Sequence, residues 1–355
     1  MMDQTHIGYV YWQQTMQNTM PPVTRVPAKK QALPGPMRIT MEGSLGAWPG
    51  DNMNDCAAEF SCPPPTLTLD NFNPVQSRWI NIGAGGPNTF TWNTTVDMPW
   101  AKVTPSSGSI STSNKETRLE VSVDWNKLSG NSGTATFTFN AFAKGQQATN
   151  QQVMFSVNKT SVPSSFHDLG TGFVEGDGTI TFEAAHATRN VAVNGVQWSE
   201  VPNYGRTLSG MTPLPALGNN DNNFTVGSGP KLEYDFFNFN NINGSVNANV
   251  QVSPSFNGYG NDRLLTFATQ LDNDTPQVHQ FFPVAPPGGL PPQWDGNDGF
   301  IANQFIGVVA KHAASPGAHT FRIFMIEPAV VVQKIVIDTG GVKPSYLGPP
   351  ESVKV

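Results

Sequence analysis

The stretch Phe173-Val174-Glu175-Gly176-Asp177-Gly178-Thr179-Ile180-Thr181-Phe182-Glu183-Ala184-Ala185-His186 decides the fold. Gly176-Asp177-Gly178 is turn chemistry, because glycine and aspartate tolerate the backbone angles that tight turns demand. From Thr179 the residues alternate, with Ile180 and Phe182 facing inward and Thr179 and Thr181 outward. That is the period of a half-buried strand. A second alternating run spans 191–196, with Asn194-Gly195 inside it, and Trp198 to Arg206 follows. Alternation returns at the far end of the chain, in residues 319–326, and a last strand is expected over 329–338. Residues 173–355 therefore read as one jelly-roll-like β-sandwich whose first and last strands lie close together.

Working outward, 355 residues are enough for two domains, each with its own core. The chain holds 34 Gly and 30 Pro, and only 13% of its residues are charged. This composition excludes a helical bundle and suits short strands joined by Gly, Pro and Asn turns. Strands are expected at 38–43, 78–83, 89–92, 100–105, 118–125, 134–142 and 152–157. Short strands at that spacing predict an immunoglobulin-like sandwich over 38–160. Residues 161–172 read as a linker. In residues 1–37, Met2, Tyr9, Trp12, Met16 and Met20 fall close to one helical face, and five prolines follow. That segment reads as a helical stub with a Pro-rich linker. The fold class is mainly β.

Charge and hydropathy narrow the function. The net charge of −6 is spread thinly, with no Lys/Arg block, which argues against a nucleic-acid surface. No apolar run approaches the ~20 residues that cross a bilayer. Residues 1–6 have neither the basic start nor the apolar stretch of a signal peptide. Other features point outside the cell. Five Asn-X-Ser/Thr sequons stand at Asn93, Asn158, Asn223, Asn243 and Asn273. A chain this rich in Asn, Ser and Thr also produces some by chance. Cys56 and Cys62 lie in a Pro-rich segment and read either as a local disulfide or as two free thiols. The expected location is extracellular, with the leader missing from this chain.

The chemistry-bearing residues are sparse. Acidic residues are scattered through turns and strand ends, and nothing in the sequence pairs two of them on a shared cleft. Phosphate loops, nucleophile elbows and HExxH metal sites are absent. No catalytic residue, cofactor or metal ligand is assigned. Glu183, with His186 close behind, reads either as a calcium ligand or as a solvated or hydrogen-bonded carboxylate. Trp198, Tyr204 and Trp294 read either as a sugar-stacking platform or as core aromatics.

Four stretches carry a specific resemblance. They are Met1 to Gln14 (MMDQTHIGYVYWQQ) with Met20-Pro21-Pro22; Glu42 to Pro49 (EGSLGAWP); Val174 to His186 with Trp198 and Gly205 to Met211 (GRTLSGM); and Pro328 to Ser352, ending SYLGPPES. In this order the chain resembles the C-terminal part of glycoside hydrolase family 115, the xylan α-1,2-glucuronidases. The resemblance implies more chain upstream: an α/β domain, a (β/α)8 barrel holding the catalytic carboxylates, and a helical domain that residues 1–20 would end. It implies that His6, Tyr9 and Trp12 either line the substrate side of that barrel or pack between domains. The implied partners are the upstream catalytic domains, glucuronoxylan and a second copy of the chain. The alternative expectation is a free-standing carbohydrate-binding protein.

Overall fold

Wherever side chains alternate at period two, a strand can bury one face and wet the other, and most such runs in this chain become strands. The computed structural model describes residues 37–44, 46–49, 64–84, 89–144, 146–167, 170–216, 223–255, 262–290, 292, 305–343 and 345–355. The expected helical stub lies outside these residues, as do His6, Tyr9, Trp12, Cys56, Cys62 and Trp294.

The first sandwich is built from β1 (Met37–Met41), β2 (Thr66–Asp70), β3 (Ser77–Ala84), β4 (Phe90–Val96), β5 (Ala101–Thr104), β6 (Ser107–Ile110), β7 (Glu116–Val123), β8 (Ser132–Ala143) and β9 (Gln146–Asn158). One sheet runs β1-β3-β7-β5 and the other β2-β9-β8-β4-β6. β2 lies parallel to β9, while the other pairs are antiparallel. The two inner faces meet in a core that includes Ile80, Leu119, Trp92, Phe137, Phe139 and Phe155. Two strands were not expected. β2 follows a run of prolines, and β6 occupies residues read as a turn.

A short helix, α1 (Ser164–His167), leads into the second sandwich. This helix lies within the expected linker over 161–172. Phe166 is buried, and its ring meets Phe237 edge-on with centroids 5.6 Å apart.

The second sandwich contains β10 (Phe173–Val174), β11 (Thr179–Glu183), β12 (Arg189–Val191), β13 (Gln197–Val201), β14 (Gly210–Leu214), β15 (Lys231–Asn238), β16 (Ser245–Val252), β17 (Thr266–Leu271), β18 (Gln277–Gln280), β19 (Ile306–Ala313), β20 (Gly317–Met325) and β21 (Val332–Asp338). One sheet runs β10-β15-β20-β17-β18, with β12 also on β15. The other runs β13-β14-β21-β16-β19, with β11 also on β21. The antiparallel pairing of β11 with β21 joins the opening stretch to the far end of the chain. The run 191–196 is not one strand. Asn194 and Gly195 take φ of +50° and +78°, as in the type I′ turn of a tight hairpin, so β12 ends at Val191 and β13 begins at Gln197. The core centres on Phe182, which stacks on Tyr234 at 4.9 Å and meets Phe173 edge-on at 4.7 Å. Tyr234 keeps its buried hydroxyl satisfied by donating to the Ala184 carbonyl at 2.8 Å. Burying each such aromatic side chain contributes on the order of 2–3 kcal/mol.

Candidate functional site

Two places combine charge, exposure and the stretches singled out in the sequence. The first is the joint between the sandwiches. The turn at Asp177-Gly178 takes φ of +58° and +72° and pushes Gly176 against the backbone of Phe72. Asp177 donates its backbone N–H to Asp70 Oδ2 at 2.5 Å, and its carboxylate lies 2.8 Å from Arg78 Nη2. Arg78 also reaches Glu42 Oε1 at 3.4 Å, and its Nε donates to the Thr68 carbonyl at 2.8 Å. Burial raises the Asp70 carboxyl above its ordinary value, against hydrogen bonds from the Asp177 and Phe72 backbones that lower it. Phe72 stacks on Phe239 across the joint at 5.8 Å. A cavity of about 230 Å³ opens here, lined by Glu42, Arg78, Asp177, Lys343 and Pro349. Its two carboxylates both face the Arg78 guanidinium, and Lys343 Nζ lies 3.6 Å from Asp177, so they are held in ion pairs rather than set on opposite sides of a sugar ring.

The second place is the outer face of the β14-β21-β16 sheet. Here the loop after β13 meets the C-terminal segment. Arg206 lies between two rings, 4.5 Å from the centroid of Phe305 and 3.9 Å from that of Tyr346. The loop is anchored by the Arg206 backbone N–H, which donates to Gln333 Oε1 at 2.9 Å. Tyr346 is 73% exposed, and Leu347 beside it is also exposed. Thr207 donates to Glu183 at 2.7 Å, and Lys334 sits 3.6 Å from the same carboxylate. Burial pushes the Lys334 ammonium below its ordinary value, while Glu183 counteracts it. The calcium reading of Glu183 therefore meets an ammonium already standing beside that carboxylate. His186 does not join Glu183 as a ligand but pairs with Glu351 at 2.8 Å.

The expected sugar-stacking residues separate. Trp198 is a correction. It is 1% exposed, and its indole N–H donates to the Pro230 carbonyl at 3.0 Å, so neither ring face is open to a sugar. Its position on the inward face of β13, opposite Pro213, decides this. Tyr204 is 51% exposed and lies against Gly210. Asn93, Asn158, Asn223, Asn243 and Asn273 are all exposed. The sequence reading passed over Arg206, Phe305 and Tyr346. The only local signal was the GRTLSGM and SYLGPPES stretches themselves. Among the described residues, no group of three or more His, Cys, Asp or Glu could hold a metal ion. No helix among them is long and apolar enough to cross a membrane.

Comparison with known proteins adds the following. The pattern of the glycosyl hydrolase family 115 C-terminal domain matches residues 172–351, about half of the chain. No curated protein matches. Among solved structures, a family GH115 4-O-methyl-alpha-glucuronidase with specificity for decorated arabinogalactans is similar at 14% identity and a TM-score of 0.32, over 44% of this chain and 17% of that one. The chain thus spans less than a fifth of that enzyme. The C-terminal CBM6 of a laminarinase from Zobellia galactanivorans is similar at 16% identity and a TM-score of 0.28, over 45% of this chain and 98% of that one. The periplasmic chaperone SfaE is similar at 9% identity and a TM-score of 0.24, over 31% of this chain and 63% of that one.

Proposed function

The chain belongs to glycosyl hydrolase family 115 through that family's C-terminal domain, and from this we propose that it is the non-catalytic C-terminal part of a xylan α-1,2-(4-O-methyl)glucuronidase. The match over residues 172–351 carries the reading. In this reading the bond-breaking carboxylates belong to an upstream barrel, and the two sandwiches support that barrel, shape access of glucuronoxylan or pair two copies of the enzyme. His6, Tyr9 and Trp12 would face the upstream domains. The enzyme would act outside the cell, with exposed sequon asparagines such as Asn158 and Asn273 open to glycosylation and Cys56 joined to Cys62.

The arrangement of the acids supports a non-catalytic role. Glu42 and Asp177 are drawn to Arg78, Glu183 to Lys334, and Glu233 and Asp235 to Arg189. Each is held in a structural ion pair, whereas a general acid needs a proton to give at working pH. The experiment is an assay of the purified 355-residue chain on glucuronoxylan. No glucuronic acid is expected, and release of glucuronic acid at a rate lost on mutating any carboxylate of this chain overturns the reading.

The second reading, a free-standing carbohydrate-binding protein, draws on the exposed Tyr204 and Tyr346. Retention of the chain on insoluble glucuronoxylan, compared with an unrelated β-sandwich, tests it. Transcript sequence upstream of Met1 separates the two: an in-frame barrel favours the first, a leader or a stop codon the second.

A further inference from the structure

We propose that Arg206 is a carboxylate-binding subsite for a uronosyl sugar, held ready by the rings of Phe305 and Tyr346. This rests on the reading above for the identity of the sugar, and on the geometry for the site. A half-buried arginine normally finds a carboxylate or carbonyl, because its planar guanidinium carries five donors. Arg206 makes no side-chain hydrogen bond or ion pair with the described residues, and its Nε is buried without a partner. With Nε sealed from solvent, the hydrogen-bonding capacity left to a ligand lies at Nη1 and Nη2.

The acids nearby are already engaged. Glu183 accepts from Thr207 and lies beside Lys334, and Glu351 is paired with His186. Arg206 is close enough to Lys334 to help lower its ammonium. Among the described residues, no carboxylate lies within ion-pair distance of the Arg206 guanidinium. The rings at 4.5 and 3.9 Å restrict the guanidinium's movement, so a ligand need not order a free side chain. A planar, pre-oriented guanidinium suits a carboxylate, which it can grip with two parallel hydrogen bonds. Next to it, exposed Tyr346 and Leu347 offer the apolar surface against which the C–H face of a pyranose packs. Charge and ring together fit an acidic sugar better than a neutral one or a free inorganic anion.

The test uses the 355-residue protein and two probes: a xylo-oligosaccharide with one glucuronosyl branch, and the same compound with its carboxyl reduced to an alcohol. Calorimetric titration at low ionic strength is expected to show the acidic probe binding at least ~10-fold more tightly, a preference that shrinks in ~0.15 M salt. Arg206→Gln should erase the preference, and Tyr346→Ala should weaken both probes. Thermal melting confirms that each variant is folded, and Arg206→Lys, which keeps the charge, should retain part of the preference if Arg206→Gln melts early. Equal affinity for the two probes, an undiminished preference in folded Arg206→Gln, or no binding of the acidic probe overturns the proposal. Glucuronic acid release by the chain would sink the functional reading while leaving the preference in place, so the two failures are distinguishable.

Discussion

Arg78 of the first sandwich lies 2.8 Å from Asp177 of the second, and its side chain is only 4% exposed. A buried guanidinium stripped of one partner is costly, and so are carboxylates stripped of the guanidinium. Arg78→Ala leaves Glu42 and Asp177 without their shared cation and is expected to destabilise by about 3–5 kcal/mol. Asp177→Asn, which keeps the left-handed turn residue, should cost less. Denaturant titration of both single variants and the double variant should give a coupling energy of at least ~1 kcal/mol. Strict additivity would show that the pair contributes nothing to the joint.

Two glycines should fail for different reasons. A Cβ on Gly176 would lie 2.6 Å from the Phe72 carbonyl oxygen, so Gly176→Ala must force the sandwiches apart. The expected cost is about 1–3 kcal/mol, with a changed response of the joint to salt. Gly195 has open space around its would-be Cβ but a φ of +78°. Gly195→Ala should cost about 1 kcal/mol of local strain and leave the joint untouched. Melting curves, together with limited proteolysis at 161–172, separate the two effects.

Trp198→Ala empties a fully packed site and is expected to cost about 3–5 kcal/mol. Tyr204→Ala changes an exposed ring and should stay within about 0.5 kcal/mol. Chemical denaturation of the two variants decides the matter. A mild Trp198→Ala would contradict the placement of that indole in the core.

A buried chain of hydrogen bonds makes the second sandwich sensitive to acid. Gln277 donates to His312 Nδ1 at 3.3 Å, which leaves the His312 proton on Nε2, 3.2 Å from Thr269 Oγ1. Thr269 then donates to His279 Nε2 at 2.8 Å. Burial holds His279 down to about 4, with His312 adding to the effect, and burial lowers His312 as well, against a pull upward from Asp274. Above the ordinary histidine value both folded and unfolded chains are neutral at His279. Between there and about pH 4, only the unfolded chain takes the proton. Stability should therefore fall as pH drops through this window and level off below it. After allowance for solvent screening the loss is on the order of 1 kcal/mol, or about 2–4 °C in Tm. His279→Gln should flatten the window. Glu233 acts lower. Burial would raise it, but hydrogen bonds from Arg189, Lys231 and Arg322 hold it down to about 2, so its contribution is lost as pH falls toward that value.

Strand periodicity made most of the β architecture legible, because a half-buried strand writes its two faces directly into alternate residues. β20 is read this way from residues 319–326 alone, whereas β21 is buried on both faces and shows instead as a largely apolar run. β2 was missed although Thr66-Leu67-Thr68-Leu69 alternates, since it is short and follows three prolines. Trp198 was ambiguous because a tryptophan on a strand carries no mark of which face is covered. That depends on its register against β14 and on the Pro230 carbonyl, both of which arise only on folding. The clamp on Arg206 showed in the sequence only as the GRTLSGM and SYLGPPES stretches, not as a pairing. Its two rings come from the start of β19 and from the C-terminal segment, and only the assembled sheet brings them to the loop after β13.

The last residues of the chain bond back to the first strands of the second sandwich. Val355 and Gly172 exchange backbone hydrogen bonds, Val174 donates to Val353, and Ser352 donates to Thr181. A ribosome making this protein would release the first sandwich whole well before the second could close. Until β21 and then residues 352–355 clear the exit tunnel, β11 lacks its partner strand and Phe173 lacks the Lys354 side chain over its ring, and this nascent intermediate would be the species most in need of a chaperone.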